Sequence, residues 1–270
     1  MPKQDKPAPG VSAAELKRLR VFTENLAREA GAALASMYVR PRAVTKKGLI
    51  DLVTSADLKS ERLIINRIQS NFPEHDILSE ERGRIDRDSP FRWVIDPLDG
   101  TVNFAHGYPQ FCVSLGLQYD GESVVGVVCD PLRAELFSAV RGGGARLNGR
   151  RIQVTQAPTM VDALCGTGFP YDTHTSRRNN LANFGRVMKA AQDIRRGGSA
   201  ALDLCYLACG RLDAYWELKL SPWDTAAGAL IAREAGALVT DFSGAPHHID
   251  KKEIAAANPI LHKELLKLVR

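Results

Sequence analysis

Residues 93–104 read WVIDPLDGTVNF, an apolar run that ends in two aspartates three positions apart, Asp96 and Asp99. The apolar start predicts a buried strand. Pro97 fixes its own φ at about −65°, so we expect the chain to leave the strand sharply with both carboxylates on the same side. Two carboxylates held so close repel each other unless a cation lies between them. The stretch therefore predicts a cation site at a strand end.

The residues around the two aspartates indicate which cation and which chemistry. Hard divalent ions such as Mg²⁺ take oxygen ligands, including backbone carbonyls, so the carbonyl of Leu98 is a further candidate. The alternative is a turn in which the aspartates only cap backbone amides. Gly100, followed by Thr101 as a possible N-cap of a short helix, favours the metal site, because free N–H groups at a helix start bind anions. Metal ligands beside an anion site are what metal-assisted phosphoryl transfer requires.

The composition bounds the class of protein. At 270 residues, with 44% hydrophobic and 25% charged residues, the chain is typical of a globular protein. It has no apolar run long enough to cross a bilayer, and its start, MPKQDKPAPGVS, lacks the apolar segment of a signal peptide. We therefore expect a cytoplasmic protein with a disordered tail over residues 1–11 and no membrane contact. The five scattered cysteines argue against a disulfide framework or a zinc site.

The order of the sequence patterns divides the chain into two halves. A capping box of Ser12 and Glu15 begins one helix, and a second helix is predicted over residues 57–72. HDILSEE predicts a strand that ends in carboxylates, and a meander follows at 111–119, 123–129 and 135–140. Beyond residue 160, strands at 163–166, 213–218 and 237–241 alternate with helices at 177–191, 199–209 and 222–235. We expect an α+β half over 12–155 with the metal and phosphate motifs, and an α/β half over 156–270 that completes the active site.

Further carboxylates occupy positions like those of Asp96 and Asp99. Asp57 lies at a helix start, Glu80 and Glu81 follow a strand, and Asp224 lies just inside a helix. Taken alone, each is more often a cap or a solvated charge than a ligand. Their spacing along the chain cannot show whether they converge.

Four motifs together resemble the inositol monophosphatases, within the Mg²⁺-dependent, lithium-sensitive phosphatase superfamily. They are DLVTSAD at 51–57, ILSEE at 77–81, WVIDPLDGTVNF at 93–104 and PWDTAAGALIAREAGALVTD at 222–241. The resemblance spans nearly everything from residue 14 to 260, and RRGGSAALDLCYLACGRLDAYWELKLSPWD at 195–224 is similar to the bacterial, extragenic-suppressor branch. It implies an α+β fold, a layered αβαβα sandwich of the sugar-phosphatase type.

The resemblance also implies a role for each matching residue. The implied ligands of a first Mg²⁺ are Glu80, Asp96, the Leu98 carbonyl and Asp99, and those of a second are Asp96, Asp99 and Asp224. A third, weaker ion is implied near Glu80. The residues implied to orient the attacking water are Asp57, Glu80 and Thr101. The implied substrate contacts are Asp99, Gly100, Thr101, Gly198, Ser199, Ala200, Glu217 and Asp224.

The chain departs from the family pattern in a few places. Ser79 stands where a glycine is common before the Glu pair, and Ala237 stands where a second glycine often follows EAG. Residues 170–180, which would help to choose the substrate, match nothing diagnostic. The resemblance therefore implies the reaction more firmly than the substrate.

The function we expect is a Mg²⁺-dependent phosphomonoesterase that hydrolyses inositol 1-phosphate or a related sugar or polyol monophosphate by an activated water. The same chemistry on fructose 1,6-bisphosphate, NADP, a nucleotide 3′-phosphate or histidinol phosphate is the alternative within the superfamily. The chain shows no obvious basic pocket for a second phosphate, which favours a monophosphate.

A binding role is the alternative from another class. Bacterial relatives are partners of the transcription machinery, and a sequence pI of about 9.0 is compatible with a contact to RNA or RNA polymerase. Such a contact would use the arginines at 141, 146, 150 and 151, although arginines around turns are more often only solvated. The family also implies a homodimer.

Overall fold

A computed structural model of the protein describes residues 10–38, 44–46 and 52–270. Its helices are α1 (Ala13–Tyr38), α2 (Ser55–Asn71), α3 (Thr101–His106), α4 (Leu181–Met188), α5 (Ala200–Ala208), α6 (Pro222–Glu234) and α7 (His262–Val269). Its first strands are β1 (Val44–Lys46), β2 (Leu52–Thr54), β3 (Asp76–Ser79), β4 (Gly83–Ile85), β5 (Phe91–Asp99), β6 (Cys112–Tyr119), β7 (Glu122–Asp130) and β8 (Glu135–Val140). The others are β9 (Gly144–Leu147), β10 (Arg150–Arg151), β11 (Leu164–Thr167), β12 (Asp193–Arg195), β13 (Ala214–Leu218), β14 (Leu238–Thr240) and β15 (Glu253–Ala257).

Two large sheets organise the chain. The first has eight strands in the order β10-β9-β8-β7-β6-β5-β3-β4, and all its neighbours are antiparallel except β3 and β5. The second has five strands in the order β12-β11-β13-β15-β14, with β11 parallel to both β12 and β13. The antiparallel first half and the mixed second half are those predicted from the sequence.

Helices fill the spaces between and outside the sheets. Helices α1 and α2 cover one face of the first sheet, α5 and α6 lie between the two sheets, and α7, joined by α4, covers the outer face of the second. Four clusters of buried apolar side chains correspond to the four interfaces between these five layers. The predicted layered αβαβα sandwich is confirmed.

The first two helices both begin at a capping side chain, the first at the predicted Ser12 and the second at Thr54, so that its first residue lies two positions before its predicted range. In α1, the Glu15 amide donates to Ser12 Oγ at 3.1 Å, and the buried residues that follow, which include Leu16, Leu19 and Leu26, recur at helical spacing. In α2, Thr54 is the N-cap and accepts from the Ala56 amide. Both helices bury one stripe against the first sheet.

The chain does not leave β5 at Pro97, so that prediction is wrong. Strand β5 continues to Asp99, and its register against β6 shifts between Asp96, which pairs with Ser114, and Asp99, which pairs with Cys112. A bulge of this kind tolerates proline because its residues need not donate to the ladder. The two aspartates therefore flank a bulge within one strand.

Two glycines allow the middle layer to approach the first sheet closely. A Cβ at Gly116 would lie 2.8 Å from the Cβ of Ala226, and one at Gly126 would lie 2.7 Å from the carbonyl oxygen of Ala227. Larger residues at these positions of β6 and β7 would push α6 away. The close contact brings the start of α6 to the strand that carries the aspartates.

Several elements differ from the sequence predictions. The helix expected at 177–191 is shorter, Leu181–Met188, and the strands β12 and β15 and helix α7 were not predicted. In the proposed tail, residues 1–9 lie outside the described part of the chain, whereas Val11 is buried. The division at residue 155 stays a prediction. Across 10–38, 44–46 and 52–270, no helix has both the length and the apolar composition needed to span a bilayer.

Candidate active site

Four of the predicted carboxylates converge where the first sheet meets the middle helices. Glu80 follows β3, Asp96 and Asp99 lie on β5, and Asp224 lies in the first turn of α6. Burial raises the pKa of Asp96 well above its usual value, and the negative charges of Glu80, Asp99 and Asp224 raise it further. The structure thus brings together the residues that spacing alone could not place.

The bulge in β5 is held by two hydrogen bonds. Asp96 Oδ1 accepts from the Leu98 amide at 3.0 Å. The hydroxyl of Ser60, on α2, donates to the Pro97 carbonyl at 2.8 Å. These contacts fix the peptide units on both sides of Pro97 and hence the direction of the Leu98 backbone.

Asp57 is fully buried and organises the start of α3. Its Oδ2 accepts from the amide of Thr54 at 2.8 Å and from its hydroxyl at 2.5 Å. The hydroxyl of Thr101 lies 3.0 Å from Asp57 Oδ1 and 3.0 Å from the Leu98 carbonyl. Because it has one proton, Thr101 donates to only one of them at a time. Burial raises the pKa of Asp57, and the hydrogen bonds from Thr54 and Thr101 oppose that rise.

The N-cap of α3 is Gly100 rather than Thr101, which corrects the sequence prediction. Gly100 has a φ of 94°, and a Cβ there would lie 2.8 Å from the Gln110 carbonyl. Only glycine combines this left-handed backbone with so close an approach. Thr101 is the first helical residue, so its hydroxyl is directed to Asp57 and Leu98 rather than to the helix amides.

Asp99 connects the first sheet to α5. Its Oδ2 accepts from Ser199 Oγ at 2.7 Å and from the Ala201 amide at 2.8 Å. Burial raises the pKa of Asp99, and these donors at the start of α5 oppose the rise. Ser199 is the N-cap of α5, and its Oγ also accepts from the Leu202 amide at 3.3 Å. The predicted substrate residues 198–200 therefore lie beside a predicted metal ligand.

Asp224 is held by the cap of its own helix. Its Oδ2 accepts from the Ser221 amide at 2.6 Å, which fixes the carboxylate at the start of α6. Burial raises the pKa of Asp224 well above its usual value, and the charge of Asp99 adds to the rise. Oδ2 of Asp224 thus caps the helix, while the carboxylate lies close enough to Asp99 for the two charges to interact.

Glu217 lies on the face of β13 turned toward the middle helices. Tyr215, two residues earlier on the same face, donates from its hydroxyl to Glu217 Oε2 at 2.5 Å. Burial raises the pKa of Glu217 to about 7, and the charge of Arg196 opposes the rise. A Cβ at Gly168 would lie 2.1 Å from Glu217 Oε1, so the carboxylate occupies the space that this glycine leaves.

Asp203 is a second acid near Glu217 and was not predicted. It is buried on α5, and its pKa is raised well above the usual value, first by burial and then by the charges of Glu217 and Asp99. Arg196 lowers it. The sequence signal was a single charged residue in the apolar helix segment AALDLCYLA.

Asn103 joins the two sides of the site and was also missed. Its side-chain amide donates to the Gln110 carbonyl at 2.7 Å and to the Gly197 carbonyl at 2.9 Å. A Cβ at Gly198, where φ is 83°, would lie 2.9 Å from Asn103 Nδ2. The sequence signal was a polar residue, Asn103, between the apolar residues of TVNF. Nothing in the neighbouring sequence indicated its distant partner, Gly197.

The donor set of the site consists of oxygen atoms. In the described ranges, no three His, Cys, Asp or Glu side chains are already close enough to enclose one ion. The buried Asp96 and Asp99 and the half-buried Glu80 and Asp224 nevertheless lie close enough for their charges to act on Asp96, and a divalent cation would relieve that repulsion. Carboxylate and carbonyl oxygens are the ligands that Mg²⁺ takes, so the residues fit that ion.

The four predicted arginines lie together at one edge of the first sheet. Arg146 and Arg150 belong to the hairpin of β9 and β10, together with Arg151, and Arg141 follows β8. Arg141 pairs with Glu122 at 3.0 Å, while Arg146 and Arg151 donate to the carbonyls of nearby turn glycines.

Comparison with known proteins shows close similarity over most of the chain. The sequence model of the inositol monophosphatase family matches residues 15–270. The chain is 45% identical over 238 residues to an inositol-1-monophosphatase of Synechocystis, which covers 87% of this chain and 83% of that protein. It is 43% identical over 247 residues to the Nus factor SuhB of Vibrio cholerae, covering 90% and 92%. The solved structure of the extragenic suppressor protein of Bartonella henselae superposes with a TM-score of 0.88 at 39% identity, covering 94% and 98%.

Proposed function

This chain belongs to the inositol monophosphatase family and is a phosphatase, and we propose that it uses Mg²⁺ to hydrolyse inositol 1-phosphate or a related sugar or polyol monophosphate. The observation that supports the metal most directly is the convergence of Glu80, Asp99 and Asp224 on the buried Asp96, whose pKa is raised by its burial and then by their charges. A relative of 45% identity named as an inositol-1-monophosphatase supports the substrate class.

The predicted ligand set distributes over two or three ions. We assign Glu80, Asp96, Asp99 and the Leu98 carbonyl to the first, and Asp96, Asp99 and Asp224 to the second. Bound Mg²⁺ would supply Lewis acidity that lowers the pKa of a water and stabilises the charge on the phosphoryl and leaving oxygens. Metal dependence is general in this family.

The chain's own residues would orient the attacking water. When Thr101 donates its proton to Asp57, its oxygen keeps lone pairs that can accept from a water. Glu80 lies close enough for its charge to act on Asp96 and would accept a hydrogen bond from the second O–H of that water. Asp57 therefore sets the direction of the Thr101 hydroxyl and acts through it.

Two further groups would bind the substrate. The amides of Gly100 and Thr101, at the start of α3, would hold phosphate oxygens beside Asp99 and Asp224. Glu217 would accept from ring hydroxyls, and the helix start at Gly198, Ser199 and Ala200 would line the same pocket. The pKa of about 7 leaves Glu217 largely ionised in mildly alkaline solution, where a carboxylate is a strong acceptor.

A substrate panel tests the proposal. Phosphate release is measured from inositol 1-phosphate, fructose 1,6-bisphosphate, NADP, a nucleotide 3′-phosphate and histidinol phosphate, with Mg²⁺, with EDTA and with added Li⁺. We expect Mg²⁺-dependent release, highest kcat/KM on inositol 1-phosphate, and inhibition by Li⁺. Equal phosphate release in EDTA would refute the metal dependence. A higher kcat/KM on another compound of the panel would identify that compound as the better substrate.

A contact with the transcription machinery is a second candidate. It is supported by the Nus factor names of relatives and by the arginines at the β9–β10 edge. Binding of purified RNA polymerase is measured for the wild type, for a variant with Arg146, Arg150 and Arg151 changed to Ser, and for Asp99→Asn. Loss in the arginine variant alone would support a surface separate from catalysis, whereas no binding by the wild type at low salt would remove the candidate.

The oligomeric state and location stay predictions. We propose the homodimer that the family implies, which light scattering on the purified chain would show as a mass near twice 29.5 kDa. A monomer mass at micromolar concentration would contradict it. The cytoplasmic location predicted from the sequence is retained as an expectation.

A further inference from the structure

One face of α2 contacts three separate segments of the candidate site. Ser60 and Glu61 follow Asp57 by three and four residues, so all three lie on the same side of the helix. Asp57 accepts from Thr101, Ser60 donates to the Pro97 carbonyl, and Glu61 binds the turn after β3. Only Asp57 has a predicted role in the reaction.

Glu61 brackets Glu80 on both sides. Glu61 Oε1 accepts from Ser79 Oγ at 2.5 Å, before Glu80, and from the amides of Glu81 at 3.2 Å and Arg82 at 2.9 Å, after it. Glu61 and Ser79 are both buried. Three donors to one carboxylate oxygen hold the backbone after Glu80 and the side chain before it. The Cα of Glu80, from which its side chain extends, is therefore held in a defined position.

The backbone of Glu80 is tied to β5 as well. Its amide donates to the Ile95 carbonyl at 3.2 Å, and Ile95 immediately precedes Asp96. Glu61 from one side and β5 from the other therefore hold Glu80 in register with Asp96. Ser60 holds the bulge in a similar way, because its hydrogen bond to the Pro97 carbonyl orients the peptide between Pro97 and Leu98.

We propose that Glu61, with Ser60 and Ser79, positions the metal-binding residues: Glu61 and Ser79 align Glu80, and Ser60 aligns the Leu98 carbonyl. The inference rests on the proposed function, since it assumes that Glu80 and Leu98 bind Mg²⁺. It gives Ser79 a use as well, since the hydroxyl that replaces the family's common glycine is a donor to Glu61. None of the three residues needs to touch substrate or metal.

The experiment measures metal binding directly. Mn²⁺ is titrated into the purified protein, free Mn²⁺ is followed by electron paramagnetic resonance, and the melting temperature is recorded. Glu61→Ala leaves the turn without its acceptor and is expected to raise the Kd for Mn²⁺ about tenfold or more. Glu61→Gln keeps an oxygen that accepts from the same donors and is expected to restore most of the affinity.

Asp76→Ala is the matched control. Asp76 is a buried carboxylate at the other end of β3, and its Oδ1 accepts from the amides of Arg87 at 2.7 Å and Ser89 at 3.3 Å. It orders a turn in the same way but away from the site. We expect Asp76→Ala to lower the melting temperature as Glu61→Ala does while changing the Kd for Mn²⁺ less than twofold. Equal Kd values for the two variants would overturn the proposal.

Milder variants cover the case in which Glu61→Ala does not fold. Ser79→Ala and Ser60→Ala each remove one donor and are expected to raise the Kd for Mn²⁺ about threefold. Wild-type affinity in both would overturn the proposal. A wild type that binds Mn²⁺ without releasing phosphate would refute the proposed function alone, and an active wild type with unchanged variants would refute the positioning role alone.

Discussion

The two ends of the candidate site are built in different ways. The proposed metal end takes Asp96, Leu98, Asp99 and Thr101 from six consecutive positions. Glu80 and Asp224 join it from two other elements, and burial and the charges of the neighbouring acids raise the pKa of Asp96. The substrate end draws single residues from separate elements, and the positive charge of Arg196 offsets its acids. A contiguous motif can be recognised in a sequence, whereas a pocket assembled from distant positions leaves no local pattern. The difference explains why the reaction was easier to predict than the substrate.

Asp99→Asn breaks the metal end and has the largest expected effect. The amide oxygen can still accept from Ser199 and Ala201, so the fold should persist, but the side chain no longer offers the negative charge that the two proposed ions would need. We expect kcat to fall about 10³-fold with a circular dichroism spectrum like that of the wild type. Near-normal turnover would contradict the metal assignment.

Glu217→Gln tests the substrate end. We expect KM for inositol 1-phosphate to rise about tenfold with a smaller change in kcat, since ring hydroxyls lose a charged acceptor. Burial raises the pKa of Glu217 to about 7, so the wild-type carboxylate is protonated below that pH and ionised above it. KM of the wild type should therefore rise as the pH falls through 7, and this rise should be absent in Glu217→Gln. The same pH profile in both would assign the titration to another group.

Gly168→Ala has the smallest expected effect and sharpens the separation between the two ends. The atoms nearest to the new Cβ are those of the Glu217 carboxyl group, the far end of a side chain that can rotate away. We expect KM to rise about threefold with unchanged stability and kcat. Gly185→Ala is the control, because nothing lies within 4 Å of its Cβ, and there KM should stay constant. A fall in kcat for Gly168→Ala would show that the two ends are coupled.

The sequence predicted the fold wherever local patterns were strong. The cap and the apolar stripe predicted the start of α1. The meander predicted at 111–119, 123–129 and 135–140 agrees with β6, β7 and β8 to within one residue at each end. Strands β12 and β15 were missed because each is a short segment whose place is set by its neighbours in the second sheet. We expected the strand to end at Pro97 because the fixed φ of proline is a property of that residue alone. The bulge that keeps Pro97 within the strand depends on pairing with β6, which the local sequence does not show.

The same limit applies to the site. Asp96 and Thr101 were predicted as site residues from the sequence, whereas the contacts of Glu61 and Asn103 include partners 18 and 94 residues away. A buried carboxylate and a half-buried amide of this kind look, in sequence, like any polar residue on a helix. Their partners became visible only when the sheets and helices were assembled.

Helix α6 has no side that faces solvent over residues 225–232, because the two sheets enclose it. Asp224 stands at the start of that helix, whereas Asp96 lies on β5 of the first sheet. Any shift of α6 relative to the first sheet would thus change the distance between these two carboxylates. Under the proposed function, the Kd for the metal would therefore report on how α6 packs between the two sheets.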